Sequence, residues 1–123
     1  MKEKQRRVLL QSNEPNSVLF VYGSLLDAAH RVEVIGREVA TTPATIRGYE
    51  RGRSRHFYLR KRRGRETQGL LLLGLTAPEF AILDRYEEVP VLYTREQIEV
   101  SGADGSPVRC WAYLPTPRVL RDE

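Results

Sequence analysis

The sequence predicts an α+β fold, and three features carry that prediction. Apolar runs of strand length recur, at Val18–Tyr22 and again at Gln68–Leu75. One clear helix starts late, with a complete start signal at Thr76-Ala77-Pro78-Glu79. Two more strand-like segments follow it, joined by a turn at Asp104-Gly105. Strands in the majority, with one clear helix apart from them, mark α+β rather than alternating α/β. A chain of 123 residues fits one compact domain, and we see no internal repeat.

Taken in order, residues 1–16 are polar and close on Asn13-Glu14-Pro15-Asn16. They are expected to form a loosely held arm before a single domain over 17–123. Val18-Leu19-Phe20-Val21-Tyr22 is apolar without interruption and stops at Gly23, as in a strand covered on both faces. Leu25 to Arg31 fits a short helix, Val32 to Ala40 is ambiguous, and Thr41-Thr42-Pro43 reads as a turn or edge. Thr45–Tyr49 and Ser54–Arg60 read as two strands joined around Gly52. In the second, Phe57 and Leu59 alternate with His56, Tyr58 and Arg60. Lys61 to Arg65, with Gly64, is the expected turn into Gln68–Leu75, the most apolar run and a central strand.

In the helix, Thr76 caps, Pro78 is tolerated in the first turn and Glu79 completes a capping box. Phe80, Leu83 and Tyr86 at helical spacing should pack on the sheet. Val89-Pro90 marks the helix end, because a residue before proline is biased away from helical geometry. The last strands are expected near Tyr93–Val100 and Val108–Leu114.

Composition narrows the function classes. No stretch reaches the roughly 18–20 apolar residues that span a bilayer, and only Val8-Leu9-Leu10 follows the charged amino terminus before Gln11. A cytoplasmic location without membrane attachment is therefore expected. Cys110 is the only cysteine, so neither an internal disulfide nor a cysteine zinc cluster can form. His30 and His56 lack the partners of a metal site, and no metal or cofactor is expected.

The net charge of +4 is unevenly placed. Residues 1–66 hold 15 Lys/Arg against 7 Asp/Glu, and residues 67–123 hold 5 against 9. The excess gathers between Arg47 and Arg65, with Arg51, Arg53, Arg55, Arg60, Lys61, Arg62 and Arg63 in between. Such a run is most often a solvated hairpin, and the alternative is a surface for nucleic acid or an acidic partner.

Two short motifs point to chemistry. The first is a strand running into Tyr22-Gly23-Ser24-Leu25 and then a short helix. Glycine lets backbone approach a ligand, and unpaired N–H groups at such a turn suit a carboxylate or phosphate. It is not a P-loop, which would end in Gly-Lys-Ser/Thr. Ser24 has no histidine base beside it in sequence and reads as a loop residue. The second motif is Leu83-Asp84-Arg85-Tyr86-Glu87-Glu88-Val89-Pro90-Val91-Leu92-Tyr93-Thr94-Arg95.

Together, V-Y-G-S-L early and L-D-x-x-E-x-V-P-x-x-Y-x-R later resemble the γ-glutamylcyclotransferase-like superfamily, including its AIG2-like members. Gln68-Gly69 and Cys110-Trp111-Ala112-Tyr113 extend the likeness over about residues 17–114. The resemblance implies a small mixed β-barrel with flanking helices. It implies an enzyme that cyclises a γ-glutamyl group to 5-oxoproline and releases an amine, so its partner is a small γ-glutamyl substrate. Nucleic acid is not expected, and the chain is expected to be a monomer or weak homodimer.

The same resemblance assigns Glu87 as the catalytic carboxylate and the backbone of Tyr22, Gly23, Ser24 and Leu25 as the holder of the glutamyl carboxylate. Tyr93 and Tyr113 are implied to line the pocket. The chain departs from the family at Glu88, where glycine is common; glutamate would take a glycine-like backbone angle only at a cost. Elementary chemistry supports Glu87 as acid and base: the α-ammonium must lose a proton to attack, and the departing amine must gain one. Its place at a helix carboxyl end, beside Asp84 and Glu88, is expected to raise its pKa, with Arg85 and Arg95 opposing.

Overall fold

The computed structural model describes residues 15–121. Their strands are β1 (Leu19–Val21), β2 (Thr41–Arg53), β3 (Phe57–Leu72), β4 (Tyr93–Gly102) and β5 (Pro107–Pro115). They close into a barrel in the order β1-β3-β2-β4-β5. The barrel is mixed because β1 runs parallel to β5 and antiparallel to β3, while the other pairs are antiparallel. The helices are α1 (Ala28–Ile35), α2 (Ala77–Tyr86) and α3 (Pro117–Arg121), and single 3-10 turns lie at Pro15–Ser17 and Ser24–Leu26. Of the expected arm, residues 1–14 lie outside the described residues.

The unbroken apolarity around β1 has the expected cause. Val18, Phe20 and Tyr22 join one cluster with Ile46, Leu59, Leu71, Cys110 and Ala112. Leu19 and Val21, on the opposite face, join a second with Ile35, Leu72, Phe80, Leu83 and Tyr113, between barrel wall and helices. Both faces are dry, so neither can be polar. Gly69 is fixed by the same strand, since a Cβ there would meet the Val21 carbonyl at 2.3 Å.

The basic region departs from expectation. Thr41–Arg53 is one strand running through Gly52, and Phe57–Leu72 is another running through Lys61–Arg65. The turn lies at 54–56, where the Ser54 N–H donates to the His56 carbonyl at 3.1 Å. Arg47 faces Glu66 but Tyr49 faces Lys61, so residues 62–65 bulge opposite Gly48 instead of reversing the chain. Gly48 and Gly64 both take positive φ, at 83° and 81°. The glycine signal at Gly64 was real, and it marked a bulge.

The first helix is also displaced. It begins at Ala28 because the Asp27 side chain accepts from the His30 N–H, and it ends at Gly36 with φ 94°. In α2 the capping box is complete: Thr76 accepts from the Glu79 N–H and Glu79 accepts from the Thr76 N–H. This helix ends before Val89-Pro90 by a Schellman arrangement. The Val89 N–H reaches the Asp84 carbonyl at 2.9 Å and the Glu88 N–H reaches the Arg85 carbonyl at 3.1 Å. Glu88 therefore takes the left-handed position, with φ 54°, that the family's glycine would occupy. The last strands and their turn fall where expected, each slightly longer.

Candidate active site

One end of α2, the turn after β1 and the tip of the β2–β3 hairpin enclose a cavity of about 390 Å³. All seven residues singled out for the site, Tyr22, Gly23, Ser24, Leu25, Glu87, Tyr93 and Tyr113, line it. They come from four separate parts of the chain, and barrel closure brings them together.

Glu87 is the C-cap of α2, and its N–H is tied to the Leu83 carbonyl at 2.8 Å. Four residues past Leu83, it returns to about the same helix face and turns into the cavity. Its side chain makes no hydrogen bond or ion pair among the described residues. Burial alone raises its pKa to about 7. The expected direction is right and the expected causes are not. Asp84 is engaged by Arg95, at 2.9 and 3.3 Å, and accepts from the Tyr113 hydroxyl at 2.7 Å. Arg95 also lies over the rings of Phe80 and Trp111, so its charge is held at Asp84 and not at Glu87.

The Tyr22–Leu25 segment enters a 3-10 turn in which the Leu26 N–H donates to the Gly23 carbonyl at 3.0 Å. The N–H groups of Gly23, Ser24 and Leu25 precede that first donor and make no hydrogen bond among the described residues. Two arginines brace the segment from behind. Arg51 donates to the Tyr22 carbonyl at 3.1 Å, and Arg31 donates to the Leu25 and Leu26 carbonyls at 3.0 and 2.9 Å. Gly23 has a packing reason besides ligand approach: a Cβ there would stand 2.9 Å from the Phe57 Cβ.

The tyrosines are walls whose hydroxyls are already engaged. Tyr22 donates to the Tyr113 carbonyl, Tyr93 to the Phe57 carbonyl and Tyr113 to Asp84. Burial pushes all three pKa values up, and the charge of Glu87 adds to each. They stay protonated and donate.

Tyr86 does not belong to the core stripe. It is 37% exposed, because six residues past Phe80 the helix face has turned by about 120°. Its hydroxyl instead joins Ser24 Oγ at 2.8 Å and His30 Nε2 at 2.6 Å at the cavity edge. Ser24 thus reaches a histidine only through a tyrosine, which gives no direct nucleophile–base pair. Sequence reasoning also missed Arg53, Arg55, His56 and Phe57 as lining residues; their basic segment looked like a solvated hairpin. Glu88 is exposed, and it too borders the cavity. Among the described residues no three His, Cys, Asp or Glu side chains gather as a metal site, and no helix is long and apolar enough to cross a membrane.

At one end of a closed mixed barrel, a carboxyl without a hydrogen-bond partner among the described residues thus shares a cavity with a turn of unbonded N–H groups. The family description "Gamma-glutamyl cyclotransferase, AIG2-like" matches residues 19–123, and the chain belongs to that family. A Methanocaldococcus jannaschii protein named "Gamma-glutamylcyclotransferase and putative RNase" is 29% identical over 120 residues. The match covers 93% of this chain and 54% of the relative, so the chain spans about half of that protein's length. The fold is similar to that of an Arabidopsis thaliana protein solved in solution, with a TM-score of 0.72 at 24% identity, covering 84% of this chain and 73% of the other. An AIG2-like protein from Mus musculus is similar with a TM-score of 0.63 at 21% identity, covering 85% of this chain and 82% of that one.

Proposed function

We propose that this protein cleaves a γ-glutamyl amide by cyclotransfer, with Glu87 as the single general acid and base. The observation that carries the reading is the unpartnered Glu87 carboxyl, poised at about 7 by burial, in the same cavity as the Gly23–Leu25 N–H groups. The glutamyl α-carboxylate lies on those N–H groups, with the γ-carbonyl toward Glu87. Ionised Glu87 takes a proton from the α-ammonium, and the freed amine attacks the γ-carbonyl carbon. A five-membered ring closes as the C–N bond forms. The old amide C–N bond then breaks as Glu87 returns its proton to the departing nitrogen, and the second proton of the ring nitrogen follows through Glu87, so that the amine leaves as an ammonium ion. The products are 5-oxoproline and a free amine, and no water is consumed. Because closure is intramolecular, holding the chain folded supplies much of the rate. A screen of γ-glutamyl compounds for 5-oxoproline release tests this: turnover of at least one is expected, and none across the set with folded protein contradicts it.

The second reading is a binding module that uses the 47–65 segment for nucleic acid or an acidic partner. Lys61 and, on the exposed bulge, Arg62, Arg63 and Arg65 favour it, as does the second half of the M. jannaschii protein's name. Under the cyclotransferase reading, nucleic-acid binding is weak, indifferent to sequence and steeply salt-dependent.

A further inference from the structure

One cluster of polar side chains at the cavity edge has no part in the cyclisation. Tyr86, the last residue of α2, holds its hydroxyl between His30 Nε2 at 2.6 Å and Ser24 Oγ at 2.8 Å. The three residues come from α1, α2 and the turn after β1, so only the folded chain brings them together. Ser24 and Tyr86 line the cavity, and His30 does not. Asp27 fixes His30 in the first turn of α1 by accepting its backbone N–H at 2.9 Å. The His30 ring stands edge-on to that of Tyr86, with centres 5.6 Å apart.

A phenol has one hydrogen to give, so its two neighbours cannot both accept from it. The bond lengths distinguish them. At 2.6 Å the contact with His30 is shorter than the roughly 2.7–3.2 Å of an N–H donor and suits an O–H donor. Tyr86 therefore donates to a bare Nε2, and Ser24 donates to Tyr86. In that arrangement the Ser24 hydrogen is spent on Tyr86, and only lone pairs remain for a ligand. His30 Nδ1 makes no hydrogen bond among the described residues, so no described group holds the ring proton there.

We propose that His30 is a positioning residue whose ring sets Ser24 as acceptor or donor, and that a carboxylate at the turn selects the donor. The inference rests on the cyclotransferase reading, in which the glutamyl carboxylate lies on the Gly23–Leu25 N–H groups. A carboxylate only accepts, so it opposes the Ser24 lone pairs until the chain of bonds reverses. In the reversal Nδ1 releases a proton to water as Nε2 takes one up, and the net charge is unchanged. Nε2 then donates to Tyr86, Tyr86 to Ser24, and Ser24 to the carboxylate. That last bond is charge-assisted and adds to those from the backbone. The glutamyl head is thereby registered at a ring outside the cavity lining.

5-Oxoproline carries the head carboxylate, 2-pyrrolidinone is the same ring without it, and neither depends on turnover. Each is titrated into protein with nitrogen-15-labelled histidine at one fixed pH, and His30→Gln assigns the ring signals by NMR. 5-Oxoproline is expected to move Nε2 from bare to hydrogen-bearing, and 2-pyrrolidinone to leave it bare. Ser24→Ala and Tyr86→Phe each break the chain of bonds, so Nε2 should stop responding in both. Ser24→Ala should also weaken 5-oxoproline binding about tenfold, the scale of a hydrogen bond to a charged group. An Nε2 that ignores saturating 5-oxoproline, a response shared by 2-pyrrolidinone or kept in either variant, or no binding of 5-oxoproline overturns the proposal. Release of 5-oxoproline from γ-glutamyl compounds by the wild-type protein is measured separately. Its absence beside a responding Nε2 fails the cyclotransferase reading and leaves the His30 proposal standing. Release beside a silent Nε2 does the reverse.

Discussion

Asp84 and Glu87 are two carboxylates three residues apart at the end of one helix, and their surroundings are opposite. Asp84 has a guanidinium and a phenol as partners, and so ties α2 to β4 and β5. Glu87 has no partner among the described residues and shares its cavity with three tyrosines that give their hydroxyl protons elsewhere. A carboxylate tied to a guanidinium and a phenol does structural work, whereas a largely buried, unpaired one holds its proton near neutrality and can exchange it. Under the proposed reading the D-x-x-E motif joins a structural carboxylate to a proton carrier, and substitution should separate the two.

The largest expected effect is on turnover. Glu87→Gln keeps the shape but cannot carry a proton, so 5-oxoproline release should fall about 10²–10⁴-fold, while Glu88→Gln costs little. The same substitution should be stabilising in a pH-dependent way. The folded pKa of Glu87 lies above its unfolded value of 4.5, so the wild type is penalised as pH rises from about 4.5 through 7. The advantage of Glu87→Gln in thermal unfolding should grow over that interval and level off above it. It should approach a ceiling of roughly 3 kcal/mol.

Asp84→Asn should reverse the pattern. It removes the charge that Arg95 and Tyr113 engage, so urea unfolding should register a loss of about 1–3 kcal/mol, with turnover per folded molecule much less affected than in Glu87→Gln. The smallest effect is expected at Glu88→Gly. It relieves a left-handed backbone, at φ 54°, but adds freedom to the unfolded chain. Thermal unfolding should show a net gain below about 1 kcal/mol.

What could be read from the sequence follows from how local the signal was. The capping box of α2, the two-faced apolarity of β1 and the last hairpin are each set by adjacent residues, and each is found where expected. Glu87 was singled out by the motif resemblance, and it reaches the cavity because a helix places i and i+4 on about one face. The hairpin was not, because Gly52 and Gly64 announce backbone irregularity without saying whether the chain bulges or turns. Only the pairing of Arg47 with Glu66 and of Tyr49 with Lys61 decides that. Tyr86 was misread because a three-residue spacing drifts around a helix, so a stripe true at Phe80 and Leu83 fails one turn later. Arg53 and Arg55 could not be placed beside the cavity from composition, since exposed arginines look alike in a charge run wherever they stand.

The most direct test is the ionisation of Glu87 itself. A carbon-13 NMR titration of side-chain-labelled glutamate, with Glu87→Gln used to assign the resonance, reads its midpoint in the folded protein. A midpoint near 7, with kcat/KM rising through the same pH as the carboxylate form appears, is the predicted result. A midpoint in the ordinary glutamate range, at about 4.3, would mean that the carboxyl is solvated or paired, and would contradict Glu87 as the proton carrier.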